Sequence, residues 1–451
     1  FGSRVAGHLG YVRTLVRSRM TVMESSSKAG AETAAAVSPR AFCGCACPLV
    51  IVGAWQLSTG HSAQTDQRRK SESAEALLEY AKAGLGCFDC ADIYTGVEEL
   101  LGTIQDKDAS QKLRIHTKCV PDLDAMQAGK VTRAYLEAGV VRSLNRLRMD
   151  TLDLVQLHWW DYDVPGFAEA GKQLRELTAS GLIRNVGLTN TDLGHLKQLV
   201  DAGCHVASNQ VQLSLLDRRP LDSGMAAFCE RHGIELLCYG SLAGGFLTDR
   251  WLGKEDPGFG GLENRSLTKY RLIIDEYGSW ADFQELLRLL AAIARRRDTD
   301  VAGVAAGWVL RQPGRTRVIL GARKAQHAEA AAASLRLALS EQDVAELNAH
   351  VAGRGIKGGV FEAERAGGRH TGIMRRNLNG VGGPPHVAEC LSRAKAALAA
   401  GSDAGPHAQR EVELLRALGN DVSGVEAALQ AEPALKRARG EVQQAVDAGV
   451  G

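Results

Sequence analysis

A carboxylate, a phenol, an ammonium and an imidazole arrive in order along this chain, each at or just past the end of a short apolar run. Gly86-Cys87-Phe88 ends in Asp89, Tyr94 follows five residues later, and helix-forming residues resume at Val97. Lys118 closes the run Leu113-Arg114-Ile115-His116-Thr117-Lys118, and His158 closes Leu152-Asp153-Leu154-Val155-Gln156-Leu157-His158. Groups at successive strand ends share one rim of a sheet. A carboxylate alone opposes ionisation of a nearby phenol, whereas a cation favours it. Lys118 beside Tyr94, with Asp89 holding the ammonium, would tune a phenol of ordinary pKa near ~10 for proton transfer to an oxygen. His158 would give that oxygen a second hydrogen bond where charge develops. Singly, each residue has a structural reading: Asp89 and Lys118 as salt-bridged residues, Tyr94 as packing, His158 as a satisfied histidine under Trp159 and Trp160. Their joint order favours the chemical one.

That order resembles the catalytic tetrad of the aldo-keto reductases, and further motifs follow in the family's sequence from residue 48 to residue 352. Gly187-Leu188-Thr189-Asn190 and Ser208-Asn209-Gln210-Val211-Gln212 resemble strand ends, on which Asn190 and Gln210 would pin a nicotinamide carboxamide. Tyr239-Gly240-Ser241-Leu242-Ala243-Gly244-Gly245 resembles the loop that stacks the ring on Tyr239 and carries the pyrophosphate past Leu242 and Gly244. Ile319-Leu320-Gly321-Ala322-Arg323 resembles the start of the adenosine-phosphate loop, with Gly321 a cofactor-binding residue and Arg323, Lys324 and His327 expected to grip the 2′-phosphate of NADPH. The family's acid and Asn beyond that point are here Ala330 and Ala331, so a grip on adenine is missing. The resemblance implies NADPH-dependent reduction of an aldehyde or ketone, since hydride chemistry is beyond side chains and needs a nicotinamide. Trp55, Trp159 and Trp160 are candidate substrate walls. The Tyr239–Gly245 loop also resembles the branch that includes potassium-channel β subunits, so the alternative is an NADPH-binding regulatory subunit. Cys90 stands beside Asp89: a thiol near Lys118 would be reactive if partly ionised, while a small buried cysteine is inert.

The elements that must position these groups alternate short apolar runs with longer amphipathic ones, as in a parallel sheet covered by helices. Strands are expected at Leu49–Ala54, Gly86–Asp89, Leu113–Thr117, Leu152–His158, Ile183–Leu188, Ala207–Val211, Ile234–Cys238 and Arg317–Leu320. Helices are expected at Ser73–Ala83, Thr132–Leu147, Phe167–Ser180, Asp192–Ala202, Leu221–His232, Trp280–Arg297, Val301–Arg311 and Glu341–Val351. Eight strand–helix units form a (β/α)8 TIM barrel, whose chemistry sits at the C-terminal strand ends. An open doubly wound sheet would show G-x-G-x-x-G after a strand, and none follows any of these eight. A long Gly-rich connection, Leu242 to Tyr277, would form a lid, a wall or a surface excursion. Residues 353–385 are read as a Gly-rich linker and 386–451 as a helical C-terminal extension, rich in Ala, Leu, Glu, Gln and Arg.

The chain of 451 residues accommodates one large domain with attached segments. A net charge of +2 and interspersed charges give no support to nucleic-acid binding, and no apolar run is long enough to insert in a membrane. Oligomeric state is not legible. The ten cysteines are irregularly spaced, which suits free thiols in a reducing compartment. Cys43, Cys45 and Cys47 lack the spacing and fourth ligand of a zinc site. Cys87 and Cys90, three apart on a strand, point to opposite faces and should not pair. Residues 1–47 are read as a leader. Phe1 to Met23 carries arginines and no acidic residue, which suits a plastid or mitochondrial address, and a stretch upstream of a start at Met20 or Met23 accounts for it equally. The expected location is cytoplasmic or organellar.

Overall fold

A computed structural model describes residues 40–58, 67–105, 113–321, 328–334, 339–365 and 367–371, together with parts of 391–431. Eight parallel strands close into a barrel: β3 (Val50–Gly53), β4 (Cys87–Asp89), β5 (Arg114–Cys119), β6 (Leu154–Leu157), β7 (Val186–Thr189), β8 (Ser208–Gln212), β9 (Glu235–Tyr239) and β10 (Arg315–Gly321), with β10 pairing back onto β3. Each lies within three residues of its expected bounds. The strands are short and almost wholly buried, because helices cover the outside and side chains fill the inside. Helix starts follow local chemistry. Thr132 accepts from Tyr135 N, Asp192 from His195 N, and Ser279 and Ser340 each close a capping box with an Asp three residues on.

Three segments differ from the sequence reading. Residues 40–47, read as the end of the leader, form a hairpin of β1 (Arg40–Phe42) and β2 (Cys45–Cys47). Its apolar face closes the barrel's N-terminal end: Phe42 and Cys47 pack with Ile51, Cys87, Leu154 and Leu237, and the Arg317 guanidinium lies 5.0 Å over the Phe42 ring. There Cys47 Sγ sits 3.4 Å from Cys87 Sγ, and Cys87 Sγ 3.5 Å from His116 Nε2. No fourth Cys, His, Asp or Glu ligand atom joins these three among the described residues. In the long connection after β9, Arg265–Tyr277 is a helix started by Asn264, which accepts from Leu267 N. The glycines of this connection all precede Asn264, so its Gly-rich character does not extend over the helix. Residues 353–365 and 367–371, read as linker, lie against the mouth of the barrel, and Ile356, Val360, Phe361 and Ala363 join the main core.

Beyond these, residues 423–431 form a helix, and Val412, Val422 and Val425 make a small cluster of their own. No helix among the described residues is long and apolar enough to cross a membrane. Residues 1–39, with the leader reading, and residues 372–390 lie outside the described residues.

Candidate active site

Asp89 ends β4, Tyr94 sits in the loop that follows it, Lys118 is next to last in β5, and His158 stands just past β6. The barrel brings all four to one cavity of about 580 Å³ at its C-terminal end. Lys118 Nζ donates to Asp89 Oδ2 at 2.7 Å and to the Cys90 carbonyl at 2.8 Å, and lies 5.1 Å from the centre of the Tyr94 ring. Burial works against the ammonium, but Asp89 and Tyr94 outweigh it and hold its pKa above the usual lysine value. Burial pushes the Tyr94 phenol up, and Lys118 only partly offsets it, so the expected net lowering by Lys118 is not what the site shows. Tyr94 therefore stays protonated at neutral pH, the form a proton donor needs. Burial, helped by Arg365, Lys118 and Lys269, lowers His158 to about 3, so its imidazole is neutral.

Asp89 has more support than the sequence suggested. Its Oδ1 accepts from Gln156 at 3.1 Å and from Gln210 at 2.6 Å, and Gln210 also donates to Gln156 Oε1 at 3.1 Å. Gln156 was missed, although strand alternation between Leu154 and His158 points it inward. Asn190 Nδ2 stands 3.3 Å from His158 Nε2, and its Oδ1 accepts from the Tyr239 hydroxyl at 2.8 Å. Flipping the Asn190 amide reverses both bonds together, so Asn190 sets which nitrogen of His158 carries the proton.

The other cavity-lining residues include Trp55, Trp160, Asn190, Gln210, Tyr239, Leu242, Gly244 and Gly321. Trp159 is not among them. Its ring packs on Phe167 and its Nε1 donates to the Val164 carbonyl at 3.1 Å, so it supports the wall from behind. Arg323 and His327 lie outside the described residues. Cys90 is fully buried, and burial, reinforced by Glu98, pushes its thiol well above the usual range, so the reactive reading fails. Gly240 and Gly244 adopt positive φ against Tyr270; a Cβ on Gly244 would lie 2.6 Å from Tyr270 Cδ2. Only glycine lets the backbone turn that tightly there.

The residues fit a nicotinamide cofactor. A flat phenol ring stands beside two amide side chains, and a glycine-rich turn after β9 brings main chain close to the cavity without Cβ atoms in the way. Two further contributors come from the end of the barrel and carried no motif. Phe361 lies 5.8 Å from His158 and 5.7 Å from Trp160, ring to ring. Arg365 donates to the carbonyls of Trp159 (3.0 Å), Trp160 (3.3 Å) and Asn190 (2.6 Å), which ties this segment to the ends of two strands.

Comparison with known proteins agrees with this architecture. A sequence profile of the Aldo/keto reductase family matches residues 49–352. Protein tas of Escherichia coli is 29% identical over 320 residues, which cover 63% of this chain and 90% of the relative. Aldo-keto reductase YhdN of Bacillus subtilis is 27% identical over 304 residues, covering 66% and 88%. A solved aldo-keto reductase of Klebsiella pneumoniae in complex with NADPH aligns with a TM-score of 0.51 at 25% identity, over 68% of this chain and 92% of that one. With the profile spanning more than half of the sequence, the chain belongs to the aldo/keto reductase family.

Proposed function

We propose that this protein reduces an aldehyde or ketone to the alcohol with NADPH, with Tyr94 as the proton donor. One observation carries the reading: Lys118 bridges Asp89 at 2.7 Å and the Tyr94 ring at 5.1 Å, in a cavity that also holds a neutral His158. When bound, NADPH supplies the hydride that the carbonyl carbon accepts. Asn190 and Gln210 would hold its carboxamide and Tyr239 would back its ring. A carbonyl oxygen between Tyr94 and His158 receives hydrogen bonds from both, and as negative charge grows on it the Tyr94 proton moves across, with Lys118 stabilising the phenolate left behind. Bulk water then reprotonates Tyr94 after the alcohol leaves. Trp55 and Trp160 form the substrate walls. Arg323 is proposed as the grip on the 2′-phosphate, since its fork binds phosphate bidentately. Loss of NADPH absorbance with a panel of aldehydes tests the reading: aldehyde-dependent oxidation supports it, and cofactor binding without turnover on any aldehyde contradicts it.

A further inference from the structure

Lys269 has no place in that mechanism, yet it lies in the same cavity. It comes from the helix Arg265–Tyr277, is only 5% exposed, and lines the mouth beside Phe361. Its ammonium sits 4.8 Å from the Tyr239 ring centre, 5.3 Å from Tyr270 and 5.9 Å from Phe361. Among the described residues no acceptor hydrogen-bonds to it and no carboxylate pairs with it. The acid that acts on it most strongly, Glu364, is spoken for: both its oxygens accept from Arg219, at 3.0 and 2.9 Å. A ring cage attracts the cation but leaves its three N–H donors without an oxygen acceptor. Burying an ammonium this way is costly unless a charged partner completes it. The cost shows in the side chain's own chemistry, since burial draws its pKa down to about 8 despite the opposing pull of Glu364.

We propose that this mouth selects carbonyl substrates bearing an anionic group, a carboxylate or a phosphate, and that the Lys269 ammonium receives it. The inference rests on the reductase reading and adds the substrate class to it. Phe361 bridges the two ends, since it touches both His158 and Lys269. His158 and the Lys269 ammonium lie 5.8 and 5.9 Å from the centre of that ring, so one small molecule can present its carbonyl to the first and its acid group to the second, and an aryl aldehyde with a para-carboxylate is the probe. The Arg365 guanidinium lies 5.7 Å from the centre of the Phe361 ring, and its hydrogen bonds are committed to carbonyls of the wall. The same ammonium chemistry would also suit a phosphate of the cofactor, so the test separates the two sources.

The test compares 4-carboxybenzaldehyde with benzaldehyde as substrates for the full chain, its Lys269→Met variant and its Lys269→Arg variant. Terephthalate binding by calorimetry and the NADPH dissociation constant by fluorescence are measured alongside. The wild type should favour the carboxylate in kcat/KM. Lys269→Met should reduce that preference about 10- to 100-fold, mainly through KM, as expected for one charge-assisted contact. Lys269→Arg should restore most of it, terephthalate binding should weaken in step, and NADPH affinity should change less than about threefold. An unchanged preference in Lys269→Met would overturn the proposal. So would a loss of NADPH affinity with the preference intact, which would assign the ammonium to a cofactor phosphate. If the wild type reduces neither aldehyde yet binds terephthalate through Lys269, the anion site stands and the reductase reading falls.

Discussion

At the scale of single residues the site separates three ionisable groups by environment. Lys118 is held charged by Asp89, while burial keeps Tyr94 protonated and His158 neutral. A raised phenol pKa keeps the acid form populated at every pH below it. Carbonyl reduction should therefore be flat from about pH 6 to about pH 9 and fall only above, while oxidation of the alcohol, which needs the phenolate, should rise with pH. A rate profile with a limb near the ordinary histidine value would instead make His158 the titrating acid. The tetrad was legible because each member stands at, or just past, the end of an apolar run. Gln156 was legible only in hindsight, through its inward register on β6. Lys269 carried no signal at all: a lysine in a long surface connection reads as solvated, and only the Tyr239, Tyr270 and Phe361 rings around its ammonium set it apart.

At the scale of elements, the strands and most helices were readable from apolar periodicity, because each strand is buried on both faces. The segment 353–371 was not, since glycine hides the few residues that anchor it. Its hold on the barrel is a buried charge group: Arg219 bonds Asp217 at 2.7 Å and Glu364 at 2.9 Å, with all three side chains almost inaccessible. Removing one member of such a group leaves an uncompensated buried charge and costs about 3–5 kcal/mol. Glu364→Ala should lower the melting temperature sharply and expose residues 353–371 to limited proteolysis, and an unchanged melting curve would mean the segment is held by its apolar residues alone. The loop after β10 carries a further expectation. If Arg323 grips the 2′-phosphate, Arg323→Ala should weaken NADPH binding roughly 10- to 150-fold and leave NADH nearly unaffected. Equal losses for both cofactors would make it a structural residue.

Across the whole molecule, a barrel closed below by a hairpin and covered above by its own C-terminal segment buries His116 and His158, each with its pKa lowered to about 3. In an unfolded chain both would titrate near ~6.5. Between these values the unfolded state takes up protons that the folded state refuses, so this stabilisation is complete above about pH 6.5 and is lost as pH falls toward 3. Melting temperatures measured from pH 7 down to pH 4 should show a steady decline, and a flat profile would mean the imidazoles accept protons in place. The hairpin and the cover were illegible for one reason: both are short, and their apolar residues make sense only against a barrel that is already closed. The account converges on the phenol that this architecture presents to the cavity. Single-turnover oxidation of bound NADPH by an aldehyde, in wild type and in Tyr94→Phe, tests it most directly. The account predicts that the substitution slows hydride transfer by roughly 10²–10⁴-fold while NADPH affinity stays nearly the same, and a Tyr94→Phe enzyme that keeps most of its rate would contradict it.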